Sequence, residues 1–250
     1  MSDQQMSLVE HLADLRKRLI ATMVVFVLFL ILSFVFVDRI FSFLRSAADP
    51  GIALTVLGPG DVLRIYFMIA GLTAIALTVP FALYQIWAFV SPALTKEEKN
   101  ITLRYIPSVL LMFLLGVLFA WYIVFPMLFS FLIKLGSKDF NMMITAANYF
   151  GFMTNIIVPF GFIFEMPVVV LFLTRIGMIT PDRLIKVRKY AYLVLVIIGS
   201  MISPPEFVSH ISVSIPMVLL YETSIWVAKW GYRQRVAART ACEAIDCEEM

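Results

Sequence analysis

Residues 19–37 read LIATMVVFVLFLILSFVFV, nineteen consecutive residues without a charged side chain. A membrane-spanning helix needs about 20 mostly apolar residues to cross a hydrocarbon layer roughly 30 Å thick. The chain as a whole has the same character, because 61% of its 250 residues are hydrophobic and only 15% are charged. Soluble domains are about 45–50% apolar and about 25% charged. The sequence therefore predicts an integral membrane protein.

Five further apolar runs follow, at residues 62–89, 105–125, 149–173, 190–202 and 207–227. We expect the third run to end at Pro126. The fifth run has only about 13 residues, which is short of the usual length of a span. Between the fifth and sixth runs stand only Ser203, Pro204, Pro205 and Glu206, and two consecutive prolines cannot continue a helix. The last two runs therefore predict a short helical hairpin that turns at these residues.

Proline also falls inside or beside most of the apolar runs, at Pro80, Pro107, Pro159, Pro167 and Pro216. Each proline removes a backbone hydrogen bond and tends to kink a helix. Neighbouring helices can satisfy the freed carbonyl groups inside a membrane. The predicted fold is an all-α membrane protein whose six transmembrane helices form a curved, cupped bundle, with helices 5 and 6 short.

Lysine and arginine are enriched in the loops on the cytoplasmic side of a membrane. Here one set of loops holds 15 of the 20 basic residues, namely Arg16, Lys17, Arg18, Lys96, Lys99, Arg104, Arg175, Arg183, Lys186, Arg188, Lys189, Lys229, Arg233, Arg235 and Arg239. The other set holds five, which are Arg39, Arg45, Arg64, Lys134 and Lys138. This bias predicts that both termini are cytoplasmic. We expect one six-helix domain over residues 1–235 and a flexible polar tail over residues 236–250.

Two external loops carry apolar residues at close to helical spacing. Residues 38–48 have Ile40, Phe41, Phe43 and Leu44 at such positions, and residues 140–150 are similarly rich in apolar side chains. We expect both segments to form helices on the outer membrane surface.

Sequence signatures of enzymes are absent. The two histidines, His11 and His210, are far apart, and Cys242 and Cys247 lie in the polar tail without a histidine nearby. There is no HExxH, no GxSxG and no phosphate-binding glycine loop. We therefore expect no catalytic site, no metal site and no cofactor.

Glu165 is the most informative polar residue, because it lies well inside the fourth apolar run. An ionised carboxylate at the bilayer centre costs about 2.5–3.5 kcal/mol on insertion scales. Glu165 must therefore face a cavity, pair with another group or be protonated, and we interpret it as part of a partner-facing or water-filled surface. A hydrogen bond between helices is the alternative. Gln85 is a weaker candidate of the same kind, because such amides often hold helices together.

Carboxylates also stand at two places beside the cytoplasmic interface. Glu10, Asp14 and Lys17 share one face of a predicted helix before the first span, and Glu98 follows the second span. Exposed ion pairs contribute only about 0–1 kcal/mol each. The charge pattern alone is therefore explained by local salt bridges with neighbouring Lys and Arg.

Four sequence blocks together resemble one known family. They are HLADLRKR at residues 11–18, FVSPAL at 89–94 with Glu98 and Lys99 after it, FEMP at 164–167, and SPPE at 203–206 with Pro216 and LYE at 220–222 downstream. In this order they are similar to the TatC family, the multispanning core subunit of the twin-arginine protein translocase.

This resemblance implies a receptor for signal peptides that carry two consecutive arginines, in a complex that exports folded proteins across the cytoplasmic (inner) membrane. By motif, Asp14 and Glu98 would recognise the arginines, and Glu10 would share the task, because the family usually has Glu where Asp14 stands. Arg16 and Arg18 would orient these acids or bind lipid phosphate. Pro204, Pro205 and Glu206 would form the motif of a periplasmic hairpin.

The resemblance further implies partners and an energy source. Glu165 would contact TatA- and TatB-type single-helix subunits or the inserted signal peptide, and the last two helices would be their docking edge. Other TatC copies and membrane lipid are further expected partners, and nucleic acid is not. The proton-motive force would supply the energy. A proton-coupled small-solute transporter that uses Glu165 is the main alternative, although such a transporter usually has an internal repeat and none is visible here.

Overall fold

The computed structural model describes residues 8–46, 54–90, 106–137, 142–203 and 206–248, and these are almost entirely helical. The helices are α1 (Leu8–Val35), α2 (Val37–Ser46), α3 (Pro59–Val90), α4 (Ile106–Phe119), α5 (Phe125–Gly136), α6 (Ala146–Phe164), α7 (Met166–Arg175), α8 (Pro181–Lys186), α9 (Arg188–Ile202) and α10 (Phe207–Glu248). A π-helical turn, Ala120–Val124, joins α4 to α5. The prediction of an all-α protein is confirmed.

Five helical segments within these ranges are long and apolar enough to cross a membrane. They are Leu12–Val35, Pro59–Phe89, Pro107–Gly136, Ala146–Arg175 and Phe207–Val236. The predicted fifth helix corresponds to α9, which has 15 residues and is therefore only about 22 Å long at 1.5 Å per residue. It is short, as predicted. The count of six spans, the cupped arrangement and the cytoplasmic placement of both termini stay predictions.

The chain divides into two compact units, and the single domain expected over residues 1–235 stays a prediction. One unit contains α1, α2, α3 and the first part of α6, up to Val158. The other contains α4, the π turn, nearly all of α5, the rest of α6 and α7–α10.

In the first unit, α1 and α3 pack as an antiparallel pair of helices. Phe34, near the end of α1, contacts Phe67, near the start of α3, with ring centroids 5.1 Å apart. At the other end, Arg18 near the start of α1 bonds to Gln85 near the end of α3. Each contact therefore joins residues that lie at one level of an antiparallel pair.

The helix predicted over residues 38–48 is confirmed as α2. Its Val37 and Leu44 side chains are buried, and Asp38 accepts a 2.8 Å hydrogen bond from the hydroxyl of Tyr66 in α3. One face of α2 is packed and the other is exposed, so the helix is amphipathic, as a helix at a membrane interface must be.

The second external helix, expected over residues 140–150, is wrong as a separate element. Thr55 and Thr145 form an isolated parallel bridge, in which the Thr55 N–H donates to the Ile144 carbonyl over 3.0 Å and the Ala146 N–H donates to the Thr55 carbonyl over 2.9 Å. The residues after Thr145 already belong to α6. Backbone pairing with a distant segment decided this structure, and apolar spacing within the loop carries no information about it.

The third apolar run continues past Pro126, where we expected it to end. A π turn over Ala120–Val124 stands directly before the proline, and the Phe125 N–H bonds to the Ala120 carbonyl five residues back. Proline in a regular α-helix clashes with the carbonyl four residues earlier, and a single wide π turn relieves such crowding inside a helix. The helical segment therefore extends to Gly136.

The fourth run is two helices that meet at Glu165. The break has a local cause, because Pro167 lies in the first turn of α7 and cannot donate a hydrogen bond back to Ile163. Pro159 lies inside α6, which continues through it to Phe164. The two prolines of one apolar run thus have different consequences.

Close packing of glycine and phenylalanine holds α4 against the end of α6. Gly116 of α4 lies against the Phe160 carbonyl and the Phe164 side chain. The Phe119 ring contacts the rings of Phe160 and Phe164, with centroids 6.0 Å and 5.3 Å apart. Small residues allow such approach of two backbones in membrane helices.

The sixth helix is longer than predicted. We expected a short helix, but α10 runs over 42 residues from Phe207 to Glu248. The residues that follow the apolar run include Ala228, Lys229, Gln234 and Arg235 and no proline. These are good helix formers, so the helix continues after its apolar part ends. The polar tail was predicted over residues 236–250. The backbone of residues 236–248 belongs to this helix, while the flexibility of the tail stays a prediction.

We expect Gly116→Ala to lower the unfolding temperature of the full chain. The added Cβ would stand 2.7 Å from the Phe164 Cβ and 2.9 Å from the Phe160 carbonyl oxygen. Overpacking of this kind costs about 1–3 kcal/mol. Thermal unfolding in detergent, followed by circular dichroism, measures the loss.

Gly71→Ala is the matched control, because it adds the same methyl group to a glycine inside α3. An added Cβ at Gly71 meets nothing within 4 Å, and alanine has the higher helix propensity. The control should keep or raise the unfolding temperature. A loss for Gly71→Ala as large as that for Gly116→Ala would refute the packing argument.

Candidate functional site

A guanidinium-binding arrangement lies where the start of α1 meets the end of α3. The Nε of Arg18 is 2.7 Å from the Oδ2 of Asp14, and the Nη1 of Arg18 donates a 3.2 Å hydrogen bond to the Oε1 of Gln85. Asp14 stands one turn before Arg18 on α1, whereas Gln85 comes from α3. Two helices therefore supply the acceptors for a single guanidinium group.

The Asp14–Arg18 pair is partly exposed. Both side chains keep 24% of their accessible surface, so both are in contact with solvent. Because water screens such a pair, its own contribution to stability is small. The arrangement shows instead that this position accommodates an arginine between a carboxylate and an amide oxygen.

The other predicted residues of the cytoplasmic surface differ in how far they are described. The Arg16 side chain is exposed. Glu10 lies in α1, but its side chain is outside the described part of the chain. Glu98 also lies outside the described residues. The predicted joint role of Asp14, Glu10 and Glu98 therefore stays a prediction.

The sequence predicted that Gln85, like Glu165, is a polar residue within the membrane. Its amide oxygen in fact bonds to Arg18, beside Asp14. A signal for this contact exists in the sequence, because Arg18 begins one apolar run and Gln85 ends the next. In an antiparallel pair of spans such residues lie at the same level.

Glu165 is buried at the junction of α6 and α7, with 4% of its surface exposed. It is the N-cap residue of α7, but its side chain makes no capping hydrogen bond. Its carbonyl oxygen accepts hydrogen bonds from the N–H groups of Val168 and Val169, at 3.1 Å and 3.0 Å. The backbone of the junction is therefore satisfied while the carboxyl group is not.

Both carboxyl oxygens of Glu165 are buried without a hydrogen-bond partner among the described residues. A buried polar group that lacks a partner costs about 1–3 kcal/mol, and a charged one costs more. A donor that reached Glu165 from another molecule would recover this free energy. The interpretation as a partner-facing residue therefore keeps its physical basis, although its role stays a prediction.

The predicted hairpin motif is described only in part. Pro204 and Pro205 lie outside the described residues. Glu206 is partly exposed, and its carbonyl oxygen accepts a 2.9 Å hydrogen bond from the His210 N–H at the start of α10. Within the described part of the chain, its carboxylate forms no hydrogen bond or ion pair.

A second polar cluster lies between α9 and α10, and no role was predicted for its residues, although Tyr221 and Glu222 belong to the LYE block. The Nη2 of Arg188 is 2.9 Å from the Oε2 of Glu222, and the Tyr192 hydroxyl donates to the other carboxyl oxygen. The Tyr221 hydroxyl donates a 2.9 Å hydrogen bond to the Leu184 carbonyl. Glu222 lies inside the sixth apolar run, so the criterion that selected Glu165 would also have found it.

Within the residues that the structure describes, no three His, Cys, Asp or Glu side chains stand close enough together to hold a metal ion. The arrangements found here are suited to binding charged or hydrogen-bonding groups.

Comparison with known proteins agrees with the resemblance seen in the sequence motifs. Residues 10–216 match the family model described as Sec-independent protein translocase protein (TatC). The chain is 45% identical over 244 residues to Sec-independent protein translocase protein TatCd of Bacillus subtilis (strain 168), an alignment that covers 98% of this chain and all of that protein. It is 42% identical over 237 residues to TatCy of the same organism, which covers 94% of this chain and 93% of that one.

A solved structure has a similar fold. The crystal structure of the twin arginine translocase receptor TatC matches with a TM-score of 0.80 and 34% sequence identity, over 89% of this chain and 99% of that chain. Sequence family, relatives and fold agree over most of the length. The chain therefore belongs to the TatC family of Sec-independent protein translocase proteins.

Proposed function

We propose that this chain is the receptor for twin-arginine signal peptides in a Tat translocase that exports folded proteins across the cytoplasmic membrane. One observation carries the proposal. The start of α1 and the end of α3 already hold one guanidinium group, that of Arg18, between Asp14 and Gln85. An arginine of a signal peptide has the same chemistry and would be bound by the same acceptors.

The choice of arginine over lysine follows from side-chain geometry. A guanidinium is planar, permanently charged and matched to a carboxylate by two parallel hydrogen bonds, whereas an ammonium is a point charge. Charge-assisted hydrogen bonds contribute about 1.5–3 kcal/mol each before screening. Asp14 would bind one arginine, and Glu98, with help from Glu10, would bind the other. The apolar part of the signal peptide would add affinity along the membrane helices.

Glu165 would serve the next step, contact with TatA- and TatB-type subunits or with the inserted signal peptide. Its unpartnered carboxyl group supports this role. The hairpin of α9 and α10, with Pro204, Pro205 and Glu206 at its turn, would be the docking edge. Other TatC copies and membrane lipid complete the expected partners.

The chain would lie in the cytoplasmic membrane with both termini in the cytoplasm, as the bias of basic residues supports. It would carry out no catalytic chemistry, and the proton-motive force would supply energy. A proton-coupled transporter that uses Glu165 is the weaker candidate, because membership of a translocase family favours protein export.

A comparison of two signal peptides tests the receptor function. We expect a twin-lysine peptide to bind at least tenfold more weakly than the same peptide with twin arginine, because only the guanidinium forms the forked hydrogen bonds. Fluorescence anisotropy with the full chain in nanodiscs measures both affinities. Equal affinities would exclude the proposal.

Asp14→Ala should weaken binding of the twin-arginine peptide about tenfold, which corresponds to one charge-assisted hydrogen bond. Asp182→Ala is the matched control. It removes the same charge from an exposed residue in the first turn of α8, on the side predicted to be cytoplasmic, and should change the affinity less than twofold. If both variants lose affinity equally, charge alone would explain binding.

Arg18→Gln should tighten peptide binding by about threefold. Arg18 occupies Asp14 and repels an incoming cation. Glutamine removes that charge, and its shorter side chain ends where the arginine Nε lies, so it does not reach Gln85. The same titration provides the measurement, since RT ln 3 is about 0.65 kcal/mol. Weaker binding would indicate that Arg18 holds Asp14 in position and does not compete for it.

Glu165→Gln should impair cargo transport into membrane vesicles while peptide affinity stays within twofold. Glutamine keeps the size of the side chain but cannot present a carboxylate to a partner. Glu165→Asp keeps the acid and should restore part of the transport. Normal transport by Glu165→Gln would return Glu165 to a purely structural role.

A further inference from the structure

Two arginine side chains converge on the end of α7. Arg175 is its last residue, and Arg235 comes from α10. Gly177 has a φ of +79°, and the guanidinium of Arg235 fills the space that a Cβ at this position would need. The Nε of Arg175 is 3.7 Å from the position of a Cβ on Gly231, one turn before Arg235. Both guanidinium groups therefore lie at one crossing of α7 and α10.

Neither arginine has a carboxylate partner among the described residues. The ion pairs found there are Asp14–Arg18 and Arg188–Glu222. Arg175 lies over the ring of Trp230, with its Cζ 5.5 Å from the centroid, and its Nε is buried without an acceptor. The aromatic face and the negative end of α7 attract the cations, but neither carries a full negative charge. Two neighbouring positive charges without a counter-ion attract an anion.

The position of this crossing along the spans indicates which anion. The apolar segments Ala146–Arg175 and Phe207–Val236 both end here, so the arginines lie at the level where a bilayer has its head groups. Tryptophan is enriched at the same level. Lys229 and Arg233, on the same part of α10, are exposed. The charge bias assigns this side to the cytoplasm, where the leaflet is rich in anionic lipid.

We propose that Arg175, Arg235 and Trp230 form a binding site for the head group of an anionic phospholipid. The planar guanidinium groups match two phosphate oxygens each, and the tryptophan ring occupies the boundary between head group and acyl chain. A zwitterionic lipid is disfavoured, because two guanidinium groups would repel its ammonium group. The ring of Trp230 cannot bind that ammonium group instead, because Arg175 already covers the ring. The bound lipid joins the end of α7 to α10.

The test uses the full chain in a non-ionic detergent, with dioleoylphosphatidylglycerol, dioleoylphosphatidylcholine or inorganic phosphate added. Native mass spectrometry counts the bound lipid, and thermal unfolding measures stabilisation. We expect phosphatidylglycerol to bind and raise the unfolding temperature, and the other two to do neither. Equal effects of phosphatidylcholine would overturn the proposal. An equal effect of inorganic phosphate would show a site for free anions and would overturn the lipid assignment.

The double variant Arg175→Gln with Arg235→Gln should bind phosphatidylglycerol at least tenfold more weakly. The matched control is Arg39→Gln with Arg45→Gln, which removes two exposed arginines from α2 and should change the affinity less than twofold. Equal losses in the two double variants would reduce the site to general electrostatic attraction and overturn it.

A conservative pair covers the case in which the glutamine variant does not fold. Arg175→Lys with Arg235→Lys keeps both charges but loses the forked geometry. We expect it to bind phosphatidylglycerol three- to fivefold more weakly and still to prefer it over phosphatidylcholine. Unchanged affinity, or loss of the preference for phosphatidylglycerol, would contradict the site.

Discussion

Polar groups within or beside the hydrocarbon core of a bilayer have little water to solvate them, so a partner within the protein or in another molecule lowers their free energy. Asp14, Arg18 and Gln85 provide such partners together where α1 and α3 meet. Arg188 and Glu222 do so between α9 and α10. Both ion pairs are partly exposed, and partial exposure lowers the cost of charge. The carboxyl oxygens of Glu165 and the Nε of Arg175 are buried without a hydrogen-bond partner among the described residues.

The unusual position of Glu165 depends on backbone chemistry nearby. Pro167 prevents α6 and α7 from forming one regular helix, and the break leaves Glu165 at their junction. Gly116 lets α4 approach the end of α6 closely, which fills the surrounding space with aromatic side chains and excludes water. A buried carboxyl group in such packing has a high free energy in the isolated chain. Under the proposed function, contact with a partner would lower that free energy and would couple the packing of these helices to assembly.

Sequence patterns predicted elements well where the signal was local. The amphipathic α2 and the short α9 follow from the spacing and length of apolar runs. The prediction that a helix ends at Pro126 is wrong, because the helical segment continues to Gly136. The predicted length of the last helix is also wrong, because residues with high helix propensity extend α10 beyond its apolar part. The predictions also failed at residues 142–145, because a bridge to Thr55 depends on a segment about 90 residues away in sequence. Hydropathy reports where a chain is apolar and does not report where its helices stop.

The amino-acid sequence by itself determined that this chain is a helical membrane protein of the TatC family, because apolar run length and ordered motifs are properties of the chain alone. It also identified Glu165 as a residue of interest, since a carboxylate within an apolar run is costly, and Asp14 through the family motif in which it stands. Only the tertiary structure decided that Arg18 bonds to both Asp14 and Gln85, although Gln85 is 67 residues from Arg18 in the sequence. It also decided that Arg235 lies against Gly177. Such contacts depend on which helices pack together, and one-dimensional periodicity does not contain that information.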